Sequence, residues 1–166
     1  MARNGKVNFR DLEDFKQKIK DNLGANHVDL FIESCAKELA ARLLAKVIKR
    51  TLPGQYPKGS GKVGGTLRRG WTSKTHEEAA SGHGSGKPAK EYADSLKVNH
   101  FGGVYVIEII NPVEYASYVE FGHRTRNHEG WVEGKFMLTI SEQEIESDAP
   151  RVLENKLKKK LGEVFR

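Results

Sequence analysis

Phe9, Leu12, Phe15, Ile19 and Leu23 recur at intervals of three and four. They fall on one stripe and predict a helix over 9–23. Asn8 is the expected N-cap, Asp11 sits in the first turn where the helix dipole favours an acid, and Gly24 and Asn26 are expected to stop the helix. A longer helix is predicted over 28–51. Val28, Phe31, Ile32, Cys35, Leu39, Leu43, Val47 and Ile48 give it a broad apolar face, and Ala36, Ala40, Ala41 and Ala45 add helix propensity. Lys46, Lys49 and Arg50 suit its C-terminus, and Pro53-Gly54 ends it.

Further on, Ser95–Phe101 and Val104–Ile110 flank Gly102-Gly103, a two-residue turn that tolerates positive φ, so 95–110 reads as a β-hairpin. Asn111-Pro112 ends its second strand. A short helix is predicted over 114–121 and is terminated by Gly122; a polar loop follows over 123–130. Residues 131–147 return to a helical pattern carrying Trp131 or Val132, then Phe136, Leu138, Ile140 and Ile145. Asp148 and Pro150 are expected to open a final helix with Val152 or Leu153, then Leu157, Leu161 and Phe165, on one face. The expected fold class is α+β: N-terminal helices, a small antiparallel sheet, and C-terminal helices packed on it.

Between the helical and hairpin regions, 53–91 holds nine of the 17 glycines. It reads as a mobile Gly-rich insertion whose one ordered island is Thr66–Trp71. No GxxxxGK[ST] pattern occurs there, so Gly59, Gly61, Gly64 and Gly65 are read as flexibility rather than a phosphate cradle. The expected organisation is a single domain spanning 1–166. Within it, 1–52 is helical, 53–91 is the Gly-rich region, and 92–166 holds the hairpin and the remaining helices.

Charge alters this picture most. The net charge is +6, but residues 1–52, 53–91, 92–150 and 151–166 carry +4, +4, −6 and +4. A basic chain invites a nucleic-acid reading, and the basic C-terminal tail is placed to touch phosphates. The acidic stretch between basic ends equally suits copies of one protein attracting each other head to tail. No apolar run approaches the roughly 20 residues of a membrane span, and MARNGKVNFRDLEDF lacks the apolar core of a secretion signal. The single cysteine, Cys35, excludes an internal disulfide and a cysteine zinc site, and reads as a small buried apolar residue.

Candidate chemistry is sparse. His123, His128 and Glu129 lack the spacing of a helical zinc motif and read as a solvated or interface loop. No nucleophile elbow is present. Glu120, beside Phe121, is expected to be a helix-end carboxylate pairing with Arg124 or Arg126. The reading is therefore of no catalytic residue, no metal and no cofactor.

One stretch resembles a known family. Glu114-Tyr-Ala-Ser-Tyr-Val-Glu-Phe-Gly-His-Arg-Thr-Arg126, followed by Gly130-Trp-Val-Glu-Gly-Lys-Phe-Met-Leu-Thr-Ile-Ser141, is similar to the signature of tailed-phage neck proteins, the minor tail-component or head–tail joining family. The pattern there is YA-x-x-V-E-x-G, a polar Arg/His loop, then G-x-x-(M)L and a helix. Gly65-Thr66-Leu67-Arg68-Arg69-Gly70-Trp71 resembles the family's T-G-x-L-R-x-S element, with the first two residues exchanged and Gly70 where serine is commoner.

The resemblance implies a structural virion protein rather than an enzyme. It would form a homo-oligomeric ring, a hexamer in the assembly, at the head–tail neck or the top of the tail. Neighbouring neck, tail-terminator or tail-tube proteins and DNA transiently in the lumen are its implied partners, with no membrane. The particle would be a phage or phage-tail-like one assembled in the bacterial cytoplasm. A ring needs a heterologous interface. The residues assigned to it are Tyr115, Tyr118, Glu120, His123, Arg124, Arg126, Leu67 and Arg68, with Trp131, Phe136, Met137 and Leu138 expected to re-anchor the chain in the core. A basic nucleic-acid-binding module is the alternative.

Overall fold

The computed structural model describes residues 5–6, 16–17, 24–61, 64–81 and 88–164. The predicted helix over 9–23 lies outside these except at Lys16 and Gln17, which are helical. The organising element is α1, Ala25–Arg50. Asn26 belongs to its first turn rather than stopping a preceding helix; the break falls at Gly24, whose φ of 81° suits a residue without Cβ. Val28, Ile32, Cys35, Leu39, Leu43, Leu44 and Val47 are fully buried. Burial pushes the Cys35 thiol up to about 11, as expected of a packed, unreactive group.

Among the described residues two helices cover α1. One is α4, Ala89–Ser95, which contributes Tyr92 and Ala93 to the core. The other is the long C-terminal helix, named α6 below, Met137–Val164. It runs antiparallel to α1. Lys46 and Arg50 near the end of α1 bond to Glu144 in its first half, and Lys156 in its second half donates to Ser34 O at 2.7 Å and pairs with Glu38 at 3.0 Å. Pro150 lies inside this helix instead of opening a new one. The backbone bond lost there is offset by the core contacts of Ala149, Val152 and Leu153 on either side.

The Gly-rich region is more structured than its composition predicts. It contains α2, Thr66–Gly70, and α3, His76–Ala80, and leads into α4; residues 62–63 and 82–87 lie outside the described ones. Arg69 stitches the region together, donating from Nε to Ala79 O at 2.8 Å and from Nη1 to Gly64 O at 3.2 Å. Two glycines are there for space. A Cβ on Gly64 would collide with Gly54 O, and one on Gly70 with Asn111 Oδ1. Asn111 is buried, donates from Nδ2 to Leu67 O at 2.9 Å and accepts from Val113 N–H. Trp71 reaches the end of α1, its indole N–H donating to Thr51 Oγ1 at 2.8 Å.

Among the described residues the strands form three separate two-stranded antiparallel ladders rather than one sheet. β2, Asn99–Phe101, pairs with β3, Val104–Val106, in the expected hairpin. Gly102 and Gly103 both have positive φ, 53° and 93°, as a type I′ turn requires. The hairpin is shorter than predicted: 89–95 is helical, and β4, Glu108–Ile109, leaves β3 to pair with β1, Gly5–Lys6. α5 is Ala116–Phe121 and ends at Gly122 with φ 82°, as expected. The predicted polar loop and the start of the predicted helix are instead a second hairpin, β5 at Gly122–Arg124 and β6 at Trp131–Glu133. The architecture is α+β.

The α1–α6 ion pairs give a pH expectation. Hydrogen bonds from Lys46 and then Arg50 hold the Glu144 carboxyl below its ordinary value of 4.5, Lys46 does the same for Asp148 below 3.8, and Glu144 in turn raises Lys46 above 10.5. Depressed carboxyls stabilise the fold above their unfolded values and lose that contribution as pH falls through the folded ones; the raised lysine contributes below 10.5 and loses it as pH rises. The thermal midpoint is therefore expected to fall on acidification below about pH 4.5. Glu144→Gln/Asp148→Asn should flatten that limb in a melting series. A variant limb as steep as the wild type's would remove these pairs as its source.

Candidate functional site

The end of α5, the β5–β6 hairpin and the start of α6 form one unit. In the ladder, His123 faces Val132, while Arg124 faces Trp131 and Gly122 faces Glu133. Side chains alternate across a strand, so Arg124, Trp131 and Glu133 share one face and His123 and Val132 the other. Both faces are open: Trp131 is 57% exposed, and Val132 and Glu133 are exposed as well. Beside them Tyr118 is 59% exposed, and Phe121, Phe136 and Ile140 are also exposed. Single exposed apolar residues are ordinary; a local group of aromatic ones makes this unit a candidate contact surface.

The hairpin is firmly mounted. A two-stranded ribbon is marginal by itself, but here Lys135 N–H donates to Val119 O at 2.8 Å and Phe136 N–H to Glu120 O at 3.0 Å, tying β6 back to α5. Gly122 and Gly134 permit this close approach, since a Cβ on either would strike the opposite backbone. The tip is closed by its own bonds. Thr125 N–H donates to Gly130 O at 3.0 Å, Gly130 N–H to Thr125 Oγ1 at 2.9 Å, and His128 N–H to Thr125 O at 2.9 Å. Arg124 and Arg126 project from this tip, exposed, with no side-chain partner among the described residues. Tyr118 meets the His123 ring edge-on at 5.8 Å between centroids.

The structure divides the eight residues assigned to an interface. Tyr118, His123, Arg124 and Arg126 come together on this unit. Tyr115 immediately precedes α5 but turns towards α2, where Thr66 and Tyr56 are its neighbours, and burial pushes its phenol up from the ordinary value. Arg68 is exposed on α2 without a partner among the described residues, whereas its neighbour Leu67 is buried in the core.

Glu120 is the clearest correction. It is 6% exposed and does not pair with Arg124 or Arg126. Its two oxygens accept from Leu138 N–H at 3.0 Å, Thr139 N–H at 2.9 Å and Thr139 Oγ1 at 2.9 Å, capping the start of α6. Trp131 and Phe136, expected in the core beside Met137 and Leu138, are on the surface while the latter two are buried. Trp131 is the functional candidate the sequence reasoning missed. The strand-favouring pair Trp131-Val132, bracketed by Gly130 and Gly134, was the available strand signal.

Among the described residues no three His, Cys, Asp or Glu side chains converge at a metal-sized site, and no helix is long and apolar enough to cross a membrane. The unit is built from aromatic and guanidinium groups, which bury area and make bidentate contacts to carboxylates.

Comparison with curated proteins and with solved structures gives no match. A family model described as "Bacteriophage HK97-gp10, putative tail-component" matches residues 12–122. The match takes in α1, the Gly65–Trp71 element, the first hairpin and α5, and stops at Gly122, immediately before the arginine-bearing tip. With about two thirds of its length inside that model, the chain belongs to the HK97-gp10-like family of phage tail components.

Proposed function

We propose that the protein is a non-catalytic structural component of a phage or phage-like tail that works by forming a homo-oligomeric ring, six-fold in the particle, at the head–tail neck or the top of the tail. It is made in the bacterial cytoplasm and contacts neighbouring neck, tail-terminator or tail-tube proteins, with DNA passing through the lumen. The observation that carries this reading is the α5/β5–β6 unit: exposed Tyr118, Trp131 and Val132 around two arginines without partners among the described residues, on a hydrogen-bonded mount. A surface that is self-ordered yet unsatisfied suits the insertion of one copy into a different surface of the next, the heterologous contact that closes rings.

Electron microscopy of the purified chain, with a gold-labelled tag followed into particles, tests this. Closed rings and label at the junction of head and tail are the expected result. A chain that stays monomeric at every concentration, and label absent from the particle, would overturn the proposal.

A further inference from the structure

Among the described residues, cations gather along one seam of the molecule. Three adjoining depressions along the α1–α6 seam share Lys156. Lys37, Arg42 and Lys90 line them on one side, and Arg151, Lys159 and Lys160 on the other. Against these seven cations, counting Lys156, the lining holds two carboxylates, Glu38 and Asp94. Lys37 and Arg151 are further paired with Glu33 and Asp148, each at 3.2 Å, so the seam with its paired carboxylates keeps a surplus of three positive charges. Glu38 is moreover already engaged by Arg42 at 2.9 Å and Lys156 at 3.0 Å, so it offers little to repel an incoming anion. Lys159 has no partner among the described residues.

We infer that this seam is a binding site for the phosphate backbone of duplex DNA. Arg151 and Lys159 stand eight positions apart on one helix, roughly 12 Å along its axis. Over that length a duplex presents about seven charges, at one per roughly 1.7 Å, a density that a protein's carboxylates do not reach. Single strands are disfavoured because the lining lacks the exposed aromatic platform on which their bases stack. The seam centre at Lys156 lies 19 residues along α6 from Met137, roughly 28 Å from the hairpin unit, so both surfaces can be occupied at once. The inference stands on the seam and does not require the ring.

Binding of a short duplex to the full chain is measured by fluorescence anisotropy across a salt series. If four of the seam's cations, Arg151 and Lys159 among them, each neutralise one phosphate, the log–log salt slope is about −3.6, and affinity falls about 150-fold between roughly 50 and 200 mM salt. Arg151→Gln/Lys159→Gln should bring the slope to about −1.8. Lys49→Gln/Lys74→Gln removes the same charge at exposed sites outside the seam and should leave the slope unchanged. The charge-preserving pair Arg151→Lys/Lys159→Arg should retain it, which separates lost contacts from lost folding.

Equal loss in the two Gln variants, or no salt-dependent binding at low salt, would overturn the site. Displacement of the duplex by poly-glutamate at equal charge concentration would also overturn it, and assign the seam to an acidic protein. Ring assembly, scored separately on the same variants, is expected to be unaffected.

Discussion

Arg124→Ala/Arg126→Ala is expected to abolish ring and particle assembly while leaving the monomer's thermal midpoint essentially unchanged. Both side chains are exposed and without partners among the described residues, so their loss from the monomer falls within the usual surface range of about ±0.5 kcal/mol. In an interface the balance differs. Truncating a buried, hydrogen-bonded arginine costs about 2–5 kcal/mol, much of it from the acid left unpaired opposite. Each contact is then weakened about 30- to 5,000-fold, and a closed ring suffers that loss at every junction. Trp131→Ala should behave likewise, because its indole is largely exposed in the monomer and tryptophan is a common interface anchor. Particle yield by electron microscopy, read beside the melting curve, decides. Normal particles from the double variant would remove the interface role, and a variant that cannot fold would move the arginines into the structural frame.

The opposite behaviour is expected of Glu120→Ala. Its carboxylate accepts two backbone N–H groups and a hydroxyl at the start of α6. Removing it deletes a cap and leaves buried donors unmatched, a loss of roughly 2–4 kcal/mol. For a chain of this size that lowers the thermal midpoint by roughly 4–16 °C. Glu120→Gln, which keeps one acceptor oxygen, should lose less. Calorimetry on the three proteins checks the order wild type, Gln, Ala. An unchanged midpoint combined with failed assembly would return Glu120 to the interface.

The contrast between Arg124 and Glu120, four residues apart, shows where sequence reasoning ended. Both lie in the stretch read as resembling tail proteins, of which the family match takes in Glu120 and not Arg124, and both were assigned outward. A carboxylate's partner depends on which backbone N–H groups the fold carries to it, and Leu138 and Thr139 lie 18 and 19 positions away. No spacing within 114–126 encodes that. Trp131 was misplaced for a related reason: a short apolar run fits a strand or a buried helix equally well until neighbouring elements are known.

What the sequence determined by itself was set by local periodicity and local sterics. The stripe of α1, the Gly102-Gly103 turn and the end of α5 at Gly122 each follow from residues within a few positions of one another. The charge asymmetry was legible too, but not its location. Only tertiary structure gathered Arg42, Arg151 and Lys159 along one seam, because antiparallel packing of α1 and α6 joins residues more than a hundred positions apart. Tertiary structure also decided that Gly64 serves close approach rather than flexibility, and that α6 runs on through Pro150. In each case the deciding contact is long-range, and its energy exceeds the local preference that opposed it.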